Sequence, residues 1–254
     1  MEYQGEAMTT AALSITGLKK SFGGLPATND VSLEVAPGER RLIIGPNGAG
    51  KTTLFNLITG DLKSDSGEIR MFGVDVSRFP VHRRAHCGLA RTYQIITLFQ
   101  SDSLEHNIAL SLLGLSPLRR SAFRPLGAHA HLYEDARAVL ARVGLAHLAG
   151  RPVSEIAYGE KRRVEIAMAL AQNPKLLLLD EPLAGLSREE RVSVTELIAA
   201  IPREVTVVLI EHDMDTALGL AERITLLHYG SVIVEGTRAE VVADPKTREV
   251  YLGD

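Results

Sequence analysis

The run Gly45-Pro46-Asn47-Gly48-Ala49-Gly50-Lys51-Thr52-Thr53 constrains the fold of this chain more than any other stretch. It follows Leu42-Ile43-Ile44, which reads as a buried strand, and opens an amphipathic helix carrying Leu54, Phe55, Leu57 and Ile58. This is a G-x-x-x-x-G-K-T phosphate loop in its strand-to-helix setting. Glycines let the backbone curl so that successive N–H groups face an anion. The helix that starts there adds the positive end of its dipole. Lys51 supplies a mobile cation for terminal phosphates, and the Thr52 hydroxyl suits Mg²⁺. The alternative is an ordinary glycine-rich turn, and the fit of both flanks argues against it. The loop points to a nucleoside triphosphate.

Around that loop the pattern alternates. Residues 13–18 and 31–35 read as strands joined through Gly23-Gly24, and Pro37-Gly38 is a turn. The loop helix should end at Gly60, with a further short strand at 69–72. Stretches 103–113 and 132–143 read as helices, the second with Ala136, Leu140 and Val143 at helical spacing. Between them, 114–130 is rich in Gly, Pro, Ser and Arg and reads as a loop or short irregular helix. In it Arg119, Arg120 and Arg124 read as a solvated loop face in preference to a partner patch. A helix follows from about Glu160 and stops near Asn173-Pro174. Stretch 205–210 is a β-branched run of the kind a central parallel strand shows. Ser187 and Glu190 spell a capping box, Tyr229-Gly230 turns a hairpin over 224–234, and 237–240 opens a final helix. The expected fold is α/β, with an antiparallel sheet beside a parallel core and an inserted helical subdomain.

A second set of residues completes a nucleotide site. Leu176-Leu177-Leu178-Leu179-Asp180-Glu181 is an apolar strand ending in two acids. At the carboxyl edge of a parallel sheet both carboxylates face the nucleotide crevice. Asp180 suits a Mg²⁺-associated role, directly or through water, and Glu181 suits the base or polariser of an attacking water.

The segment Ile156-Ala157-Tyr158-Gly159-Glu160-Lys161 discriminates further. Here the chain resembles the ATP-binding cassette family, whose signature loop is typically Leu-Ser-Gly-Gly-Gln before such a helix. Other stations resemble that family in order. Phe22 looks like the aromatic that stacks on adenine, and Gln94 like the Q-loop glutamine near the metal. Ala184-Gly185-Leu186-Ser187 looks like the D-loop, and His212 like the switch histidine.

The resemblance implies a P-loop NTPase (RecA-like) core with an N-terminal antiparallel β subdomain and an inserted α-helical subdomain. It divides the chain into a flexible tail over 1–12, core over 13–95, helical insert over 96–154, core over 155–235 and a helical tail over 236–254. It implies ATP and Mg²⁺ as ligands and a head-to-tail homodimer or heterodimer with a second ATPase subunit. In that dimer the signature loop of one protomer, here Ala157 to Glu160, covers ATP on the phosphate loop of the other. Ala157 replaces the usual serine, and Ser187 ends a D-loop that more often ends in an acid or Asn.

Strings such as Arg91-Thr92-Tyr93-Gln94 and Glu211-His212-Asp213-Met214 are similar to ATPases of branched-chain amino-acid importers. The ending Glu249-Val250-Tyr251-Leu252-Gly253 is similar to that group and to the lipopolysaccharide-export ATPase. An exporter of that type, a urea-type system and a non-transport cassette in translation or DNA repair remain as other readings. The implied partners are transmembrane permeases and, indirectly, a solute-binding protein. The implied location is cytoplasmic and peripheral, on the inner face of the membrane.

Composition agrees. A net charge of −3 offers no basic field for nucleic acid. The lone Cys87 permits no intrachain disulfide, fits a reducing compartment and reads as a small buried residue. No apolar run spans a bilayer, so a membrane role would need another subunit to hold this one there. His129 and His131 belong to no metal-ligand pattern and read as surface residues.

Overall fold

The computed structural model of the protein describes residues 10–120, 127, 129–211 and 217–252. β1 (Leu13–Phe22) and β2 (Leu25–Val35) form a hairpin, followed by β3 (Arg40–Ile44) and α1 (Lys51–Thr59). β4 (Ser66–Met71) and β5 (Val74–Asp75) join the hairpin in an antiparallel sheet of order β2-β1-β4-β5. Further along lie α2 (Val81–His86), β6 (Leu89–Arg91), β7 (Leu176–Asp180), β8 (Thr206–Ile210), β9 (Arg223–His228) and β10 (Ser231–Thr237). These build the larger sheet, β10-β9-β3-β8-β7-β6, parallel throughout except where β10 returns beside β9.

The central strands are apolar on both faces because both are covered. Ile43, Leu176, Leu178, Val208 and Ile210 face a core shared with α1 and the antiparallel sheet. Their alternates Leu42, Ile44, Leu177, Leu179, Val207 and Leu209 face a second core with Val194 and Ile198 of α6 (Arg188–Ala199). The two-residue period of a strand splits the side chains in this way. Each fully buried Leu or Ile contributes about 1.5–3 kcal/mol.

A third core gathers α3 (Leu104–Leu115), α4 (Ala130–Arg142) and α5 (Tyr158–Ala171) around Ile108, Ala136, Leu140, Val164 and Ala167. The fold is thus the expected one, an antiparallel sheet beside a parallel P-loop core with a helical layer.

Sequence periodicity does not reveal α2, β5 or β6, because none exceeds six residues. The single C-terminal helix expected from 237–240 is two helices, α7 (Arg238–Ala243) and α8 (Pro245–Leu252). Asp244 between them is extended, as a residue before proline prefers. Of the stretch expected as a tail, 1–9 lies outside the described residues. Ala12 is buried, donates to Val35 O at 2.9 Å and accepts from Phe72 N–H at 3.1 Å. Cys87 is half-buried at the edge of the first core. Among the described residues, no helix is long and apolar enough to cross a membrane.

Candidate active site

The phosphate loop leaves the carboxyl end of β3 and wraps a cavity of about 350 Å³. Asn47, Gly48, Ala49, Gly50, Lys51, Thr52 and Thr53 line it, together with Ala27, Gln94 and Glu181. Two of the glycines are obligatory here. A Cβ on Gly45 would fall 2.1 Å from Leu227 O, and one on Gly50 (φ +98°) would fall 2.2 Å from Ala27 O. The loop is therefore pressed between β9 and the β1–β2 hairpin, and Pro46 continues the turn. Lys51 is 6% exposed, and its Nζ donates to Gly45 O at 2.7 Å and Pro46 O at 3.0 Å. Burial lowers the pKa of its ammonium, and the carboxylates of Glu181 and Asp180 oppose that shift.

The acids close β7, two strands away from β3 across β8. Asp180 is buried, and its Oδ2 accepts from Arg91 Nη2 at 2.8 Å. Burial pushes this carboxyl above its ordinary pKa, while the Arg91 hydrogen bond and charge pull it down. Its Oδ1 is buried without a hydrogen-bond partner among the described residues. An orphaned carboxylate oxygen is costly unless something else uses it. The Thr52 hydroxyl and the Gln94 amide lie on the cavity wall, and Asp180, which does not line the cavity, acts electrostatically on Lys51 within it. Oxygens of these three residues are of the kind that fits a hydrated Mg²⁺.

Glu181 follows with φ +48°, a left-handed conformation that costs a non-glycine residue about 1–3 kcal/mol and marks functional positions. Its N–H donates to Ile210 O at 3.0 Å, and its Oε2 accepts from Gln94 Nε2 at 2.8 Å.

The other expected residues lie apart from this cavity. Phe22 is 47% exposed at the end of β1, with Lys20 Nζ 5.6 Å from its ring centroid. Ala27, farther along the same hairpin, does line the cavity. Ala157 caps α5, and Glu160 Oε2 accepts its N–H at 2.8 Å. Tyr158 is 44% exposed and packs beside Gly185 of the expected D-loop.

Gly159 N–H donates at 2.8 Å to Oε1 of Glu190, whose Oε2 also accepts from Ser187 N–H at 2.9 Å. These two donors hold the Glu190 carboxyl below its usual pKa. His212 lies outside the described residues, as does Arg124. Arg119 is exposed, with Nη1 donating to Gly114 O and lying 3.2 Å from His86 Nε2. Among the described residues no group of three His, Cys, Asp or Glu is placed to hold a metal ion.

The sequence gives no role to Arg91 or Ala27, and to Glu190 only that of a helix cap. Arg91 lies three positions before Gln94, in a string that carries only a resemblance. Nothing local distinguished Ala27. Glu190 showed its capping role but not its reach to Gly159.

A phosphate loop at a parallel strand end, an Asp-Glu pair two strands over and a glutamine joined to the glutamate define a nucleotide-hydrolysing P-loop cassette. The comparisons are specific. The family model described as "ABC transporter" matches residues 28–184. The high-affinity branched-chain amino acid transport ATP-binding protein LivG of Escherichia coli (strain K12) is 37% identical over 256 residues, covering 97% of this chain and 100% of that protein. The lipopolysaccharide export system ATP-binding protein LptB of Acidithiobacillus ferridurans is 36% identical over 245 residues, covering 95% and 97%. The ADP conformation of MJ1267, an ATP-binding cassette of an ABC transporter, superposes with a TM-score of 0.85 at 31% identity, covering 97% of this chain and 100% of that one. The chain belongs to the ABC transporter family, as its ATP-hydrolysing cassette.

Proposed function

We propose that this chain powers an importer of branched-chain or other hydrophobic amino acids, working as a peripheral subunit on the cytoplasmic face of separate membrane permeases. The observation that carries the site assignment is the shared cavity. It brings phosphate-loop amides, Lys51, Thr52, Gln94 and Glu181 around one space large enough for a polyphosphate. The cargo rests on the relatedness to LivG over the full length of that protein.

In this reading the loop amides and Lys51 hold the β- and γ-phosphates, and Phe22 stacks on adenine. Thr52, Asp180 and Gln94 would hold Mg²⁺, which would neutralise charge that builds on the phosphate oxygens. Glu181 accepts a hydrogen bond from the attacking water and takes its proton as the water oxygen bonds to the γ-phosphorus. The bond from that phosphorus to the bridging oxygen breaks, leaving ADP and phosphate. His212 completes the γ-phosphate contacts.

The signature helix of a second ATPase subunit, this chain or close kin, supplies donors from Ala157 to Glu160 across a head-to-tail interface. ATP then joins the two subunits, and hydrolysis releases them. Reconstitution with the permeases and an amino-acid-binding protein tests the reading. MgATP-dependent uptake of leucine-like solutes supports it. Phosphate release without such uptake, but with extraction of lipopolysaccharide, assigns the subunit to an exporter instead.

A further inference from the structure

Arg91 ends β6 with a side chain only 5% exposed, and both terminal nitrogens of its guanidinium are engaged while Nε has no partner among the described residues. Nη2 donates to Asp180 Oδ2 at 2.8 Å, and Nη1 donates to Asn56 Oδ1 on α1 at 2.6 Å. Asp61 Oδ2 lies 3.4 Å from Nη1. The guanidinium carbon lies 4.6 Å from the Tyr93 ring centroid and 5.6 Å from that of Phe55. A planar fork fixed at both terminal nitrogens and packed against two aromatic rings is held in orientation.

We infer that Arg91 is a positioning residue for the metal side of this site. By occupying Oδ2 of Asp180 it turns the carboxylate so that Oδ1 alone is left for a hydrated divalent cation. Two observations carry this. Oδ1 is buried without a partner among the described residues, whereas Oδ2 accepts from Arg91 Nη2. Arg91 is also tied to α1, the helix that the phosphate loop begins, so the acid on β7 and the loop after β3 share one brace.

The brace also has an outer end. Tyr93, which stacks on Arg91, is 41% exposed, donates from its hydroxyl to Asp61 at 3.3 Å and directly precedes Gln94. Arg91 therefore stands between two carboxylates, one of them held by an exposed aromatic. Displacing Tyr93 changes how the guanidinium divides between Asp61 and Asp180.

The inference rests on Asp180 as the metal-side carboxylate, so the experiment separates the two claims. Mn²⁺ binding to the complex with a non-hydrolysable ATP analogue is followed by electron paramagnetic resonance. Metal-free nucleotide binding and thermal unfolding are measured on the same samples.

Arg91→Met should raise the Mn²⁺ concentration for half-saturation about tenfold, the scale of one charge-assisted hydrogen bond, and change the spectrum. Metal-free nucleotide affinity should move by about twofold or less, since Arg91 touches no phosphate-loop atom. Arg91→Lys, which keeps the charge but not the fork, should recover part of the Mn²⁺ affinity. If Arg91→Met does not fold, Arg91→Lys decides through its own spectrum and half-saturation. A folded variant with wild-type Mn²⁺ affinity and spectrum overturns the inference. Wild-type Mn²⁺ binding in Asp180→Asn overturns the metal reading itself.

Discussion

Lys51 shows how the phosphate loop holds its own cation. Its ammonium is turned onto two carbonyls of its own loop, Gly45 O and Pro46 O, inside a nearly closed environment. A cation paired only with neutral carbonyls gives up little when a triphosphate replaces them, and it gains a charge-assisted contact. Lys51→Ala should therefore weaken MgATP binding by about 10- to 150-fold, the equivalent of about 1.5–3 kcal/mol, and abolish turnover. Fluorescent-nucleotide titration measures the first effect and phosphate release the second.

Glu181 offers the complementary case. Glu181→Gln keeps an oxygen that accepts from Gln94 and removes the proton acceptor. Turnover should fall by about 10²- to 10⁴-fold, while nucleotide affinity stays within a few fold and MgATP traps a dimer on size exclusion. Turnover at the parental rate would remove Glu181 from the chemistry.

At the scale of the element, α5 connects the expected signature loop to the Gln94 loop. Arg162 is wholly buried, pairs with Glu165 at 2.6 Å and donates to Tyr93 O and Gln94 O at 3.0 and 3.1 Å. Glu165 in turn accepts from Tyr93 N–H at 3.2 Å. Removing one partner of a buried pair leaves the other charge unpaired, which costs about 3–5 kcal/mol. Glu165→Ala should thus lower the melting temperature by roughly 10 °C in a chain of this size, read by calorimetry.

The N-terminal turn of α5 also meets a carboxylate in its own chain. Gly159 N–H, one of the donors proposed to face a partner's γ-phosphate, is engaged by Glu190. Ala157→Ser adds a hydroxyl beside it and should raise ATPase activity or ATP-driven dimerisation. Unchanged or lower values would show that the serine of the usual signature is dispensable here. The Ser187–Glu190 capping box was readable, because it lies within one turn of sequence. The bond from Glu190 to Gly159 spans 31 residues and was not, since only the packing of α5 against α6 creates it. Arg91 was hidden for the same reason, because its partners come from β7 and α1, far off in sequence.

On the scale of the molecule, the phosphate loop and the Asp-Glu pair were legible because each joins a periodic strand to a local motif. The cavity they meet at, and the exposed apolar segment beside it, follow only from the order of strands in the sheet. Tyr93, Ile95 and Phe99 are 41%, 76% and 58% exposed on the segment that carries Gln94, between the parallel sheet and the helices of the third core. Single exposed apolar residues are common, but these three fall within seven consecutive positions that include Gln94, which is bonded to Glu181. A permease helix seated there would press on the loop that holds Gln94 and, through Arg162, on α5. Ile95→Asp combined with Phe99→Asp makes that face polar without touching the nucleotide cavity. The isolated subunit should then hydrolyse ATP within about twofold of the parent, since the altered side chains lie outside the reacting groups. In proteoliposomes the same variant should lose co-purification with the permeases and the solute-stimulated fraction of phosphate release, because charge buried at an apolar contact has no partner. Retained stimulation would place the permease elsewhere on the cassette, whereas loss of the isolated activity would show that the segment shapes the catalytic cavity rather than a docking face.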